Sequence, residues 1–300
     1  MRENLFKGSY VAVVTPFTLN NEIDIKALYG LIEWHIQEGT DGILCLGCTG
    51  ESSTLDRNEK VTVIKTCLKA SRKRIPIVVG TGSNNTKETI EFTRIAKELK
   101  VDGCMVVVPY FNKPTPKGCW EHFSAVAKVD LPTMLYHTPG RTGVKLPVQT
   151  IAELYDEKKI AAVKESSNDL AYASQIFKAS SIPVLSGDDD LNFSILKQGG
   201  AGSVSVIANI KPKEWKKMVA FALAGCFDES EVLSKNNSKL ISSLFWESNP
   251  GPIKYLLSLM DKCLPKLRLP LVVPEDHIKE KLKQIALEYE LIQPNVMQLS

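Results

Sequence analysis

Short apolar runs recur along the chain at regular spacing, and segments of mixed polarity separate them. Eight runs can be counted, beginning near residues 10, 42, 76, 103, 132, 160, 183 and 202. In the intervening segments, such as DIKALYGLIEWHIQEG and TKETIEFTRIAKELK, apolar residues repeat every three or four positions, which predicts amphipathic helices. Apolar runs that alternate with helices in this way are typical of parallel strands covered by helices.

The number of strand and helix units predicts the fold class. Eight such units within about 225 residues favour an α/β fold, the closed (β/α)8 TIM barrel, over an open doubly wound sheet with fewer strands. Beyond about Cys226 the pattern contains only helices, and no low-complexity linker precedes them. We therefore predict a barrel over residues 1–225 that carries the active site, and a C-terminal helical domain over residues 226–300 packed on it. Asp56 and Glu59 predict a capping box for the helix after the second strand.

Charge and composition indicate a small-molecule ligand. The net charge is +3 without a block of like charges, so neither a nucleic-acid surface nor an anionic-membrane patch is predicted. The chain has no apolar run long enough to span a membrane and starts without the apolar stretch of a signal peptide, so we expect a cytoplasmic protein.

The cysteines do not predict a metal or redox site. Seven cysteines in a long chain fit reduced intracellular thiols better than a disulfide framework. Cys45 and Cys48 form a C-x-x-C in GILCLGCTGES, but no second pair of cysteines and no nearby histidine completes a zinc tetrad. We expect no metal and no cofactor.

Polar residues cluster where the predicted strands end, which is where a barrel of this type places its active site. The strands end in GCTGES, GTGSNN, PYFNKPT, YHTPGRTG, KESS and SGDDD. Side chains alternate along a strand, so Lys164 is expected to point inward together with Ala162, and Tyr136 inward on the strand before. His137 is expected to point outward and to be structural. GDDD could suggest metal binding, but we favour capping of the following helix.

Lys164 directly follows an apolar run. This stretch alone does not favour either of two interpretations of the lysine. Burial lowers the pKa of a lysine, and a neutral amine is the nucleophile that forms a Schiff base with a carbonyl substrate. Alternatively, Lys164 forms a structural ion pair with Glu165 or another carboxylate.

Three neighbouring features could complete a site around Lys164. The GCTG turn offers backbone N–H groups and the Thr49 hydroxyl to a small carboxylate, although it could also be a simple strand-to-helix turn. Tyr136 is a possible proton carrier. Arg141 offers a planar fork for a second carboxylate, and a surface arginine is the alternative.

Taken together, these motifs resemble the pyruvate-dependent class I aldolases related to dihydrodipicolinate synthase and N-acetylneuraminate lyase. The likeness runs through VAVVTPF, GCTGES, YFNKPT, YHTPGRTG, AAVKESS, SGDD and NPGPIK. It implies a (β/α)8 barrel with a C-terminal helical domain, assembled as a homotetramer of tight dimers.

The resemblance also implies roles for individual residues. Lys164 would form the imine with pyruvate, Tyr136 would shuttle protons, and Thr49 with Gly50 would hold the pyruvate carboxylate. The positions that line this pocket would include Gly187 and Val204.

GRTG is similar to the synthase branch of the family, in which the arginine at the position of Arg141 binds the carboxylate of L-aspartate 4-semialdehyde. The implied reaction is the aldol condensation of this aldehyde with pyruvate to 4-hydroxytetrahydrodipicolinate, on the route to diaminopimelate and lysine.

Two departures from the family pattern affect the proton relay. The family has threonine at the position of Cys48 and tyrosine, contributed by the neighbouring subunit, at the position of Phe111. Two of three relay hydroxyls are therefore missing, and we expect the proton path to run through water or Tyr110, or the activity to be altered.

The family's regulatory site for lysine also departs from its usual composition. The aligned positions that suit lysine are Ser52, Asn84, Glu88 and Tyr110. Arg57 and Lys60 stand where the lysine-sensitive form has histidines. Because added cations repel an ammonium ligand, we expect little or no inhibition by lysine.

Two other functions compete with this prediction. Another pyruvate aldolase of the family, acting on a sugar acid or hydroxy-oxo acid, is favoured by Cys48 and Phe111 and disfavoured by Arg141. A catalytically retired barrel that binds an oxo acid is suggested by the broken relay, although such a binder has no need of a buried amine at Lys164.

Overall fold

Eight short parallel strands close into a barrel in the computed structural model, which describes residues 5–293. Each strand pairs with the next along the chain, and the eighth pairs with the first. The predicted (β/α)8 barrel is thus confirmed over the open sheet. The strands are β1 (Gly8–Ala12), β2 (Gly42–Cys45), β3 (Ile77–Gly80), β4 (Gly103–Val107), β5 (Thr133–His137), β6 (Ala162–Glu165), β7 (Val184–Ser186) and β8 (Gly202–Ser205).

Helices follow the strands, and the longer ones cover the outside of the barrel. They are α1 (Ile25–Gln37), α2 (Arg57–Ser71), α3 (Thr86–Glu98), α4 (Pro116–Ala127), α5 (Pro139–Thr142), α6 (Val148–Asp156), α7 (Leu170–Ala179), α8 (Asn192–Lys197) and α9 (Pro212–Leu223). Two short 3-10 helices, Ser52–Thr54 and Ile207–Asn209, follow β2 and β8.

Local sequence signals set the starts of several helices. The predicted capping box is confirmed: Asp56 accepts from Glu59 N–H at 2.9 Å, and Glu59 accepts from Asp56 N–H at 2.9 Å. Asn85 caps α3 through its side-chain oxygen, and Thr115 does the same for α4, where Pro116 takes the first helical position.

Alternation along the strands divides the apolar residues into two cores. Met134, Tyr136 and Ala162 belong to the cluster inside the barrel, as predicted. Leu135 and Val163 belong to the larger cluster between barrel and helices. Lys164 follows the register of Ala162, so its amine starts from the inner face.

The C-terminal segment consists of helices and packs on the barrel. It contains α10 (Phe227–Asn236), α11 (Ser238–Ser243), α12 (Gly251–Leu259) and α13 (Asp276–Glu288). α9 ends at Leu223 and α10 begins at Phe227, so a boundary near 225 falls between helices, and the division into two domains stays a prediction. Residues 294–300 of the predicted second domain, and 1–4 of the first, lie outside the described residues.

None of the helices within residues 5–293 combines the length and apolar character needed to cross a membrane.

Candidate active site

Lys164 and Tyr136 lie side by side at the carboxyl ends of β6 and β5. The two residues are register partners across the strand pair. Lys164 Nζ lies 4.4 Å from the centroid of the Tyr136 ring, and both side chains are 6% exposed. The predicted amine and the predicted proton carrier are therefore neighbours in a buried site.

The surroundings favour the neutral form of Lys164. Burial lowers the pKa of its amine, while the nearby Cys48 and Asp188 act in the opposite direction. No ion pair of Lys164 occurs among residues 5–293. A buried lysine without a paired carboxylate is suited to nucleophilic attack.

Glu165 is not the partner of Lys164. Its carboxylate lies 2.7 Å from His137 Nδ1 and accepts a hydrogen bond from Ser167 N–H at 2.7 Å. His137 also stacks on Tyr172 of α7 at 4.6 Å and accepts from Leu146 N–H. His137 is thus outward and structural, as predicted, and the ion pair between Lys164 and Glu165 is wrong because the two side chains leave opposite faces of β6.

The turn after β2 places Thr49 and Gly50 in the protein interior. Its own hydrogen bonds use the N–H groups of Glu51 and Ser52, which leaves those of Thr49 and Gly50 without a partner in the described part of the chain. Thr15 Oγ1 donates to Gly50 O at 2.7 Å and fixes the turn. Adjacent free N–H groups in a glycine turn suit a carboxylate.

Asn249 supports this turn, and reasoning from the sequence did not assign it a role. Its Nδ2 donates to Thr49 Oγ1 at 2.9 Å. The Thr49 oxygen therefore serves as acceptor, and its own proton is free to be donated elsewhere. NPGPIK was recognised as a motif, but its distance of 200 residues from Thr49 hid the contact.

Tyr136 is held in its protonated form. Burial raises the pKa of its phenol, and the nearby Cys48 acts in the same direction, while a hydrogen bond with Thr138 and the charge of Arg141 lower it. A phenol that keeps its proton can donate a hydrogen bond to an oxygen in the site.

An open cavity of about 490 Å³ leads into the site. Four of the residues predicted for the site border it: Cys48, Tyr110, Tyr136 and Arg141. Five others do not border the open space: Thr49, Gly50, Lys164 and Val204, which are buried, and Gly187, which is partly exposed.

Gly187 and Val204 differ in their relation to Lys164. A Cβ on Gly187 would come within 2.4 Å of Lys164 Cε, so only glycine leaves space for the lysine. Val204 packs inside the barrel with Tyr136 and Ala162. Phe111 is 88% exposed and does not border the cavity of its own chain.

The acidic residues after β7 do not cap α8. Asp189 is buried, accepts from Val206 N–H at 3.0 Å and Ile207 N–H at 2.8 Å, and contacts Asn192 Nδ2. The expected helix cap is wrong because these N–H groups, at the 3-10 helix after β8, are nearer to the carboxylate.

Asp188 lies at the edge of the site. It accepts from Asn168 N–H at 2.7 Å, and burial raises its pKa to about 6. It is a further acidic group near Lys164, and reasoning from the sequence, which considered GDDD only for metal binding or helix capping, gave it no role in this site.

The two cysteines of the C-x-x-C motif lie in different parts of the structure. Cys45 packs into the outer core and interacts with Cys67, whereas Cys48 borders the cavity. Residues 5–293 contain no group of three or more histidine, cysteine, aspartate or glutamate side chains placed to hold a metal ion.

Comparison with known proteins matches this geometry to one family. The model of the Dihydrodipicolinate synthetase family matches residues 5–288. The chain belongs to the dihydrodipicolinate synthetase family. A family member from Geobacter sulfurreducens, named 4-hydroxy-tetrahydrodipicolinate synthase, is 45% identical over 96% of this chain and all of its own.

Solved members of the family have the same architecture. Dihydrodipicolinate synthase from Aquifex aeolicus is 40% identical, with a TM-score of 0.93 over 95% of this chain and 99% of its own. The enzyme from Acinetobacter baumannii, solved in complex with pyruvate, is 38% identical, with a TM-score of 0.94 over 95% of this chain and 99% of its own.

The residues that match the family's lysine site lie partly around the same cavity. Ser52, Lys60, Glu88 and Tyr110 border it. Arg57 instead forms an ion pair with Glu91 at 3.1 Å. Of the two cations substituted for histidine, Lys60 is the one that lines the space.

Proposed function

We propose that this chain condenses pyruvate with L-aspartate 4-semialdehyde to 4-hydroxytetrahydrodipicolinate, on the route to diaminopimelate and lysine. It is then a class I, Schiff-base lyase that needs no cofactor. The family membership and the name of the Geobacter relative support this reaction. The observation that carries it is the buried, unpaired amine of Lys164 beside Tyr136.

The reaction begins with attack of neutral Lys164 on the pyruvate carbonyl and loss of water. The protonated imine that results is an electron sink, so it acidifies the pyruvate methyl group. The enamine formed by loss of a methyl proton attacks the aldehyde. The product amine then closes the ring and releases Lys164.

The two carboxylates of the substrates need separate partners. We assign the pyruvate carboxylate to the free N–H groups of Thr49 and Gly50 and to the Thr49 hydroxyl, which Asn249 leaves free to donate. We assign the semialdehyde carboxylate to Arg141, which borders the cavity beyond Tyr136. Gly187 keeps the space for Lys164, and Val204 forms part of the inner wall.

Proton transfer centres on Tyr136. Cys48 and Tyr110 border the same cavity and are positioned to take part, with water. Phe111 would approach the site of a neighbouring subunit in a homotetramer built as a dimer of dimers, which we propose by analogy with the family. We also propose that the enzyme works in the cytoplasm.

Trapping with borohydride tests the imine. The protein is mixed with pyruvate, reduced and mapped by mass spectrometry. A reduced adduct on Lys164 is expected. It should be absent in Lys164→Ala and retained in Lys145→Ala, which removes a lysine that is paired with Asp169. No adduct in folded wild-type protein, or an adduct elsewhere, would contradict the proposal.

A second candidate function is the aldol reaction of pyruvate with another aldehyde, and Cys48 at the cavity wall favours it. Comparing turnover with aspartate semialdehyde and with sugar aldehydes separates the two. A retired binding barrel is excluded if turnover is detected and Lys164→Ala abolishes it.

A further inference from the structure

Ser166, two residues after Lys164, carries a buried hydroxyl without a hydrogen-bond partner among residues 5–293. Its backbone is fixed between neighbouring strands. Ser166 N–H donates to His137 O at 2.9 Å, and Gly187 N–H donates to Glu165 O at 2.7 Å. Leaving a buried hydroxyl unpaired costs roughly 1–3 kcal/mol, so such a group beside a reactive amine points to a partner that arrives with the ligand.

Gly187 shows how close this hydroxyl is to the reactive lysine. A Cβ on Gly187 would lie 1.9 Å from Ser166 Oγ and 2.4 Å from Lys164 Cε. Oγ and Cε are therefore no further apart than the sum of these distances, about 4.3 Å. Because Nζ is bonded to Cε at about 1.5 Å, the hydroxyl lies no more than about 5.8 Å from the atom that would attack pyruvate.

Two neighbouring hydroxyls already take part in a hydrogen bond. Thr49 Oγ1 accepts from Asn249, and Ser186 Oγ donates to Asp188 O at 3.1 Å. Cys48 brings a thiol, which is a weak donor. Ser166 thus offers an uncommitted oxygen donor next to the amine.

We propose that Ser166 is a catalytic residue for imine formation, whose Oγ donates a hydrogen bond to the oxygen on C2 of pyruvate. This inference rests on the proposed Schiff-base function. It deepens that function by assigning a contact to the step in which the substrate becomes covalently attached.

The step balances without further reactants. As Lys164 Nζ bonds to C2, the carbonyl electron pair moves to oxygen, and a proton passes from nitrogen to that oxygen. The C2–O bond then breaks, and the nitrogen lone pair forms the double bond to C2. Overall, the amine, the ketone and one proton from solvent give the protonated imine and water. Ser166 keeps its proton and stabilises the oxygen while it carries negative charge.

The test compares Ser166→Ala with wild-type protein and a matched control. The rate of imine formation is measured by rapid mixing with pyruvate and borohydride quenching at timed intervals. We expect Ser166→Ala to slow imine formation by about tenfold or more. Its unfolding midpoint without pyruvate should be unchanged or higher, because an unpaired buried hydroxyl has been removed.

Ser203→Ala is the control. Ser203 is also a buried serine whose hydroxyl lacks a partner in the described chain, but its position on β8 alternates with Val204 and faces the helices. It should form the imine at the wild-type rate.

The outcomes distinguish the two proposals. An adduct in wild type that forms equally fast in Ser166→Ala would overturn the role of Ser166 and leave the Schiff-base function intact. A lower unfolding midpoint in Ser166→Ala, or equal slowing in Ser203→Ala, would also overturn it. Failure of wild-type protein to form any adduct would overturn the proposed function itself.

Discussion

Lys254 and Glu51 form a buried ion pair that joins the C-terminal helices to the turn carrying Thr49. Lys254 Nζ lies 2.5 Å from Glu51 Oε1, and both side chains are fully buried. Lys254 also donates to Lys266 O at 2.7 Å, and the second Glu51 oxygen accepts from Arg268 N–H at 3.1 Å. The turn at the site is thus held from a distant part of the chain.

Breaking this ion pair should destabilise the protein. Removing one partner leaves an uncompensated buried charge, so Lys254→Met is expected to cost about 3–5 kcal/mol of unfolding free energy, measured by denaturant titration. The double variant Glu51→Gln/Lys254→Met should lose less. Lys235→Met, which breaks an exposed pair with Glu231, should cost less than about 1 kcal/mol. Equal losses in Lys254→Met and Lys235→Met would contradict this.

The rate of imine formation should fall as the pH is lowered. Below the pKa of Lys164 the ammonium form dominates and cannot attack, and burial sets that pKa below the ordinary lysine value. Asp188 raises it, so Asp188→Asn should move the acid limb of the pH profile to lower pH. Asp190→Asn, at an exposed neighbour, is the control and should leave the limb in place. An unchanged acid limb in Asp188→Asn would show that the charge of Asp188 does not reach the amine, and a shift to higher pH would contradict the predicted sign.

The pH dependence of the protein's stability should also reflect the raised pKa of Asp188. Its folded pKa of about 6 is above the ordinary aspartate pKa of 3.8, so folding disfavours the ionised form. The cost of ionising it is present above pH 6 and disappears as the pH falls to about 4. Asp188→Asn is therefore expected to have a higher unfolding midpoint than wild type at pH 8, and the difference should vanish near pH 4. A difference that grows toward acid would have the wrong sign.

Restoring a hydroxyl at position 48 should raise turnover. Cys48 borders the cavity with Tyr136, and general acid-base assistance is worth about 10²- to 10⁴-fold when fully in place. Because Phe111 remains, we expect Cys48→Thr to gain part of this, about tenfold in kcat. Cys48→Ala should lose only a small part of the activity, because a thiol is a weak hydrogen-bond donor. If Cys48→Ala lost most activity, the thiol itself would be an essential part of the proton path.

Lysine should inhibit weakly or not at all. Lys60 lines the cavity next to Glu88 and neutralises a carboxylate that an ammonium ligand would need. Arg57 contributes less than the sequence suggested, because it is paired with Glu91. Inhibition measured at saturating lysine should therefore increase in Lys60→His more than in Arg57→His. Strong inhibition of the wild-type protein would contradict this prediction.

The barrel and its reactive lysine were predictable because both depend on local patterns. Runs of apolar residues specify strands, and alternation along β5 and β6 correctly separated Tyr136 from His137. The contacts of single polar groups were not predictable in this way. Asp189 accepts from N–H groups seventeen and eighteen residues away, and Glu165 pairs with His137 on the preceding strand rather than with Lys164. These hydrogen-bond partners depend on the strand face from which a side chain projects and on the donors that lie close to it in the closed barrel.

The contact between Thr49 and Asn249 has a consequence for the order in which the protein becomes functional during synthesis. The two residues are 200 positions apart, and Glu51 and Lys254 are 203 apart. A nascent chain that has released all eight strands from the ribosome already holds Lys164, yet it still lacks both supports of the turn assigned to the substrate carboxylate. The catalyst is complete only when nearly the whole polypeptide has emerged.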